Sequence, residues 1–166
     1  MKEVDKIQAD YVRERDTREF DLGDTLDVKT SVILAVIVFL AAQSGDFFKG
    51  TLTPRMRHLQ YLSVAALILA GIFAVAELVP RNYGTEASPS RYQKWVSELD
   101  AYYAGEDNAD ALVADEAVRG RCQRAMARVD KNIEINKQKS LFLSACFIFT
   151  AVSLAANLIT LAIHLF

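Results

Sequence analysis

Hydrophobic residues in this chain are concentrated in three long runs, which are separated by strongly charged segments. The middle of the first run, residues 31–42, has no charge, and the second run, residues 59–79, has Glu77 as its only formal charge. The third run, residues 141–166, contains no acidic or basic residue except His164. A helix rises about 1.5 Å per residue, so runs of this length cross a hydrocarbon core of roughly 30 Å. The pattern predicts an all-α membrane protein with three transmembrane helices.

The charged segments divide the chain into four predicted parts. These are an amphipathic N-terminal arm (1–27), a transmembrane hairpin (28–80, spans about 30–48 and 59–79), a helical insert (81–139) and a third transmembrane helix (140–166). A turn over residues 45–54 separates the first two spans. Ser88 followed by Pro89 predicts the start of the first insert helix. A second insert helix, beginning near Asn108, is predicted to run without a break into the third span, since no proline interrupts it.

The distribution of basic residues predicts the orientation. The arm, counted together with Lys29 next to it, and the insert carry sixteen Lys or Arg residues. Three lie between the first two spans, at positions 49, 55 and 57, and none follows the third span. Basic residues favour the cytoplasmic side of a membrane. We therefore expect the N-terminus and the insert between the second and third spans to be cytoplasmic.

The overall charge of the chain excludes a general electrostatic attraction to nucleic acid or to anionic lipid. The formal net charge is -2 and the mean hydropathy is +0.13, so any recognition of an anion must come from a local patch. Cys122 and Cys146 lie far apart without the spacing of metal ligands, and we expect both to be reduced thiols.

Polar residues recur along one side of the third span. Their spacing of three, four, three and four residues places them on one stripe of a single helix: Thr150, Ser153, Asn157, Thr160 and His164. Polar groups are costly in hydrocarbon, so this stripe should face protein or water. Two interpretations remain open: a seam that packs against neighbouring helices, or the lining of a pore in an oligomer. In either case we expect several copies to gather around the stripe.

The second span has a face of small residues that ends in a carboxylate: Ser63, Ala66, Ala70, Ala74 and Glu77. Small residues let two helix backbones approach closely. Glu77 either pairs with Arg81 one turn later or forms part of a gate or cation-selecting ring.

Basic residues line one face of the second insert helix: Arg121, Arg124, Arg128 and Lys131. Arginine offers bidentate geometry to phosphate, so this stripe is a candidate site for a nucleotide or an oligonucleotide. The alternative is a solvated face whose charges pair with acids on the same helix, namely Asp115, Glu116, Asp130 and Glu134.

No catalytic signature is present in the sequence. There is no glycine-rich phosphate loop, nucleophile elbow or zinc-ligand spacing. His58 and His164 are expected on opposite sides of the membrane, where they could not share a metal ion. We predict a protein that is not an enzyme and that uses no metal or other cofactor.

Three short segments resemble those of the Pycsar transmembrane effectors. Residues 27–31, DVKTS, are similar to the family's entry into the first span; residues 77–81, ELVPR, are similar to the Pro-Arg exit from the second. Residues 136–139, NKQK, resemble the Lys-bearing stretch before the third span. The similarity covers most of residues 24–166 and extends to other small membrane effectors of bacterial antiphage systems, including the SLATT type.

This resemblance implies an effector of the bacterial inner membrane. A nucleotide or oligonucleotide made by a partner nucleotidyltransferase or cyclase would gate it, and the activated homo-oligomer would form a pore or channel, disrupt the membrane and arrest the infected cell. The matching motif positions are Asp27, Lys29 and Arg81. Because no cyclic-nucleotide-binding domain is recognisable, cyclic mononucleotides, cyclic oligonucleotides and linear oligonucleotides all remain open as the signal. The alternative is a non-conducting structural or accessory subunit of a membrane complex.

Overall fold

Every regular element in the described part of the chain is an α-helix. The computed structural model describes residues 3–47 and 53–165, so residues 48–52 of the predicted turn lie outside it. The four helices are α1 (Glu3–Phe47), α2 (Pro54–Leu78), α3 (Pro89–Tyr103) and α4 (Ala109–Leu165). The all-helical prediction is confirmed for these residues.

Two of the helices begin with a side-chain cap followed by proline. The hydroxyl of Thr53 accepts the Met56 N–H at 3.4 Å, and Pro54 is the first residue of α2. In the same way the hydroxyl of Ser88 accepts the N–H of Arg91 at 3.4 Å, directly before α3. Proline suits the first helical position because its missing N–H would have no helical partner there. The predicted start of α3 is confirmed.

The two longest helices extend across the predicted divisions of the chain. Helix α1 has 45 residues and joins most of the arm to the first span. Helix α4 has 57 residues and joins the second insert helix to the third span, as predicted. The three prolines of the sequence, at positions 54, 80 and 89, all lie outside these two helices. Both can therefore keep an unbroken ladder of backbone hydrogen bonds.

The chain forms two compact units. Unit 1 consists of Met1–Leu22 and Asn82–Ile135, and unit 2 of Gly23–Arg81 and Asn136–Phe166. Helices α1 and α4 contribute to both units, whereas α2 belongs to unit 2 and α3 to unit 1.

Unit 2 has apolar side chains outside and polar ones inside. Helices α1, α2 and α4 are each long and apolar enough to cross a membrane. Their exposed side chains include Phe39, Ile68, Ile72, Phe147 and Leu158, whereas Thr30, Ser44, Ser63 and Ser153 are buried. Large exposed apolar surfaces are unfavourable in water and favourable in lipid, while buried hydroxyls avoid lipid. The three spans therefore indicate a membrane protein.

Contacts between the spans define their directions. Helix α2 is antiparallel to α4. As residue numbers rise along α2 and just past its end, the numbers of the contacted α4 residues fall: Ser63 contacts Ser153, Phe73 contacts Phe149, and Arg81 contacts Gln138. Helix α1 is parallel to α4, because Asp27 meets Lys139 and Ser44 meets Asn157.

An apolar cluster fills the middle of unit 2. Its buried members are Ile37, Leu40, Leu67, Ala70, Ala74 and Cys146. Phe73 and Phe149 pack against this cluster and stack with their ring centroids 5.7 Å apart. The small residues of α2 allow this close packing.

Unit 1 has mainly apolar residues inside and most of its charges outside, with Glu19 and Asn132 as buried polar residues. Val12, Val113 and Val129 are buried in it. Trp95 lies so close to Gly120 that a Cβ atom at position 120 would stand 2.8 Å from the indole Cη2 atom. Glycine in mid-helix costs about 1 kcal/mol relative to alanine, and here it makes room for the indole ring.

Candidate functional site

The polar stripe of the third span lies largely inside unit 2. Thr150, Ser153, Asn157 and Thr160 are buried, and His164 is exposed. The hydroxyl groups of Ser153 and Ser63 share a hydrogen bond of 2.8 Å. The hydroxyls of Thr150 and Thr160 donate to carbonyl groups one turn earlier in their own helix.

This burial corrects the argument that several copies must gather around the stripe. A single chain already hides four of the five residues from lipid, because α1 and α2 supply the facing side chains. The Asn157 amide, for example, donates to the Ser44 hydroxyl at 3.4 Å. Oligomer formation therefore does not follow from the stripe itself.

The small face predicted on the second span is confirmed. All five of its residues are buried, namely Ser63, Ala66, Ala70, Ala74 and Glu77. The same face continues one turn earlier to Gln60, which is also fully buried. Neither the oxygen nor the nitrogen of the Gln60 side-chain amide has a hydrogen-bond partner among the described residues.

Glu77 is a fully buried carboxylate that does not pair with Arg81. The expected pair is wrong because Arg81 donates to Gln138 Oε1 at 2.8 Å and lies over the ring of Phe142, 5.4 Å from its centroid. Both carboxylate oxygens of Glu77 lack a hydrogen-bond partner within residues 3–47 and 53–165. The side chains of Thr30, Asp27 and Lys139 lie close enough to interact electrostatically with the Glu77 carboxylate.

An ion pair joins α1 to α4 beside Glu77. The Lys139 ammonium donates to the Asp27 carboxylate, and the side-chain exposures are 4% for Lys139 and 42% for Asp27. Of the three positions singled out by the resemblance, Asp27 thus lies beside Glu77. Lys29, two residues further along α1, is exposed.

The sequence analysis missed the burial of several polar residues of unit 2, among them Thr30, Ser44, Gln60 and Lys139. A signal for the first three of these is present in the spacing. Thr30, Ile37 and Ser44 are separated by seven residues, which places them on one face of α1. Gln60 precedes Ser63 by one turn and extends the small face of α2.

In unit 1, each of three basic residues of α4 has a partner from another segment. Arg121 pairs with Glu86 at 3.1 Å, and Arg128 pairs with Asp16 at 2.9 Å. Arg124 lies over the Trp95 ring, 4.0 Å from its centroid. The fourth residue of the stripe, Lys131, is exposed.

The expected pairing of this stripe with acids of the same helix is wrong for Arg121 and Arg128. Their partners are Glu86, in the segment between α2 and α3, and Asp16 in α1. Partners so far away in sequence leave no local spacing signal, which is why the sequence analysis did not find them. Arg119 does pair locally, with Asp115 at 3.7 Å.

The arginines line a cavity of unit 1. Its volume is about 250 Å³, and its lining includes Glu86, Tyr92, Arg121, Arg124 and Arg128. Three guanidinium groups, one carboxylate and one phenol ring thus surround a single space. Such a set can bind an anionic group through charge-assisted hydrogen bonds and a planar group by stacking.

The expected separation of the two histidines is wrong. Helices α2 and α4 are antiparallel, with Ser63 level with Ser153, so His58 and His164 lie towards the same end of unit 2. Both side chains are exposed. Within the described residues, no three His, Cys, Asp or Glu side chains are grouped to hold a metal ion.

Comparison with known proteins finds no matching family, no matching characterised protein and no matching solved structure. The resemblance to the Pycsar transmembrane effectors therefore stays a prediction from the sequence.

Proposed function

We propose that this protein is an inner-membrane effector of a bacterial antiphage defence system. A nucleotide or oligonucleotide signal made by a partner nucleotidyltransferase or cyclase acts on unit 1. The protein then permeabilises the membrane as a homo-oligomeric pore or channel and arrests the infected cell. The arm and the insert face the cytoplasm, where such a signal is made.

The observation that carries this proposal is the buried charged cluster of unit 2. Glu77, Lys139 and Asp27 come from three different helices, at or near the ends of the spans, and Glu77 is fully buried without a hydrogen bond of ordinary geometry among the described residues. A passive membrane anchor has no need of such groups, because ionisable side chains are costly inside a membrane. They are typical of proteins that move ions or protons or that change state.

The arginine cavity of unit 1 supports a sensor for an anionic signal. Glu86 already places one carboxylate against Arg121, so the cavity accepts an anion from the protein itself. A phosphate group offers the same guanidinium three oxygens and more charge. Tyr92 in the lining offers a ring on which a base can stack.

One observation favours the alternative, a non-conducting structural or accessory subunit. The three spans of a single chain already shield four residues of the polar stripe. A protein of this kind would need no pore to account for its polar interior, because buried hydroxyls and amides also hold helices together in lipid.

Membrane potential separates the two functions. We expect regulated expression, together with the activating signal, to depolarise cells that carry a potential-sensitive dye. Asn157→Leu and Glu77→Gln should abolish the depolarisation, whereas Leu158→Ala, on the exposed face of α4, should not. Immunoblots of membrane fractions check that each variant inserts equally. Cells that express the native protein together with its neighbouring genes are also infected with phage. A membrane potential that stays unchanged during this infection would favour the non-conducting accessory subunit.

The sensor is tested with purified protein in vesicles that release a trapped dye. Cyclic mononucleotides, cyclic dinucleotides and linear oligoadenylates are added separately, and one class should trigger release. Arg121→Glu should raise the concentration required by about ten-fold or more, since one charge-assisted contact becomes repulsive. Arg119→Glu is the matched control, because Arg119 is exposed on the same helix and lies outside the cavity. An equal effect of both variants would contradict the assignment of the cavity.

A further inference from the structure

The buried polar groups of unit 2 that have unused hydrogen-bonding capacity form two clusters, one towards each end of the spans. Glu77 and Thr30 lie towards one end, beside the Asp27–Lys139 pair. Ser44, Asn157 and Gln60 lie towards the other end. Each cluster receives residues from α1, α2 and α4, so both lie in the space that the three spans of one chain enclose.

Each cluster holds buried polar atoms whose hydrogen-bonding capacity is unused. In the described part of the chain, neither carboxylate oxygen of Glu77 nor the hydroxyl of Thr30 makes a hydrogen bond of ordinary length and angle, although the Thr30 and Asp27 side chains lie near Glu77. Both amide atoms of Gln60 and Asn157 Oδ1 also make no hydrogen bond there. Such groups are strongly favoured to interact with a polar or charged species that enters the interior.

An apolar layer separates the two clusters. Going along α2 from Gln60 to Glu77, the buried residues after Ser63 are Ala66, Leu67, Ala70 and Ala74. Ile37, Leu40 and Cys146 complete this layer from α1 and α4. Thr150 is the polar residue at this level, and its hydroxyl is satisfied by the Cys146 carbonyl of its own helix. Ser63 and Glu77 stand about 20 Å apart along the helix axis, at a rise of roughly 1.5 Å per residue. A layer of this kind excludes water and ions until it is wetted.

The charges of the Glu77 cluster select the sign of the species. The cluster contains two carboxylates and one ammonium group, and Lys139 is paired with Asp27. With Glu77 ionised, the cluster carries one more negative than positive charge, so a single positive charge that enters the interior is attracted to it. Anions would be repelled by the same excess charge.

We propose that each chain encloses its own path for a monovalent cation, entered at Glu77 and Thr30 and closed by the apolar layer. The path lies within each chain of the proposed homo-oligomer, so the oligomer holds several parallel paths and not one on the axis between copies. This inference rests on the proposed permeabilising function, whose signal would open the layer by moving the three spans apart.

The test makes the layer polar with little change in volume. Leu67→Asn and Cys146→Ser replace buried residues of the layer by polar residues of similar size. Leu69→Asn is the matched control, because it puts the same substitution on an exposed position two residues further along α2. Purified full-length variants are placed in vesicles loaded with K⁺, and K⁺ efflux is measured without any nucleotide. Circular dichroism and size-exclusion elution check the fold.

We expect both layer variants to raise the basal K⁺ efflux by about ten-fold or more, because a polar side chain lowers the barrier to wetting. Leu69→Asn should leave the efflux close to that of the native protein. The inference is overturned if the folded layer variants keep the vesicles as tight as the native protein does, or if Leu69→Asn leaks equally.

A separate experiment tests whether the path prefers cations. In the leaking Leu67→Asn background, Glu77→Gln should lower the permeability ratio of K⁺ to Cl⁻ by about ten-fold, because the excess negative charge is lost. An unchanged ratio would overturn the role of Glu77.

The outcomes also separate this inference from the proposed function. If a nucleotide opens the native protein but the layer variants stay tight, the path lies elsewhere and the function stands. If the layer variants leak but neither a nucleotide nor phage infection opens the native protein, the path stands and the signalled function fails.

Discussion

The two units of the molecule place polar side chains in opposite ways. Unit 1 buries valines such as Val12 and Val113 and keeps Arg121 and Glu86 near its surface, where they pair. Unit 2 exposes leucine, isoleucine and phenylalanine and buries Ser63, Ser153 and other polar residues. The first arrangement suits water and the second suits lipid.

This difference changes what a polar residue implies about function. In unit 1 a row of arginines costs little, because water or a nearby acid satisfies each of them. In unit 2 a polar side chain has only the neighbouring helices to satisfy it. Glu77 and Gln60, which have no hydrogen-bond partner among the described residues, are therefore stronger evidence of function than the arginine stripe.

The strongest destabilisation should come from removing the buried ammonium group of unit 2. Lys139→Met should lower the free energy of unfolding in detergent by about 2–4 kcal/mol, since it leaves Asp27 and Glu77 without their ammonium group. Chemical unfolding followed by circular dichroism measures the loss. The lower part of this range applies if water screens Asp27, whose side chain is 42% exposed.

Lys137→Met is the matched control, because Lys137 is exposed two residues earlier on the same helix. Adding Asp27→Asn to Lys139→Met should restore part of the loss. Equal stability of the Lys139 and Lys137 variants would contradict the buried pair.

A smaller effect is expected from the ion pairs of unit 1, and their burial should rank them. The side chains of Arg128 and Asp16 are 15% and 18% exposed, against 63% and 59% for Arg121 and Glu86. Arg128→Ala should therefore cost about 1–2 kcal/mol, while Arg121→Ala should cost roughly 0.5 kcal/mol or less. Urea unfolding of the two variants measures both. A reversed order would show that burial does not decide the strength of these pairs.

The smallest effect is expected for a single hydroxyl of unit 2. Ser63→Ala removes one partner of the Ser153 hydroxyl and should cost about 0.6 kcal/mol, the average measured for hydrogen bonds between helices in membranes. A double-mutant cycle with Ser153→Ala isolates the interaction. Ser144→Ala, at an exposed position of α4, is the comparison. No coupling between positions 63 and 153 would mean that the two hydroxyls do not depend on each other.

Much of the fold could be predicted because its signals are local. Three apolar runs predict three spans, the Ser88–Pro89 cap predicts the start of α3, and the spacing of small residues predicts the buried face of α2. Helical periodicity fixes which residues share a face, and that information is contained in a single segment.

The partners across helices could not be predicted in the same way. Nothing near Arg128 in the sequence points to Asp16, and nothing near Glu77 points to Thr30 and Lys139. Arg81 is the nearest basic residue to Glu77 along the chain, yet its guanidinium group donates to Gln138. Sequence spacing indicates which residues share one helix face, whereas the facing helix is chosen by packing of the whole unit.

Trp95 is an intrinsic fluorescent probe of unit 1. The sequence contains one tryptophan, so the indole emission of the entire molecule originates from the ring that Arg124 covers and that Gly120 accommodates. An anion that draws the guanidinium away from this ring would alter the emission without any attached dye. Titrations of the arginine cavity can therefore be followed in the unmodified protein, and Gly120→Ala, which crowds the ring, would shift the starting signal.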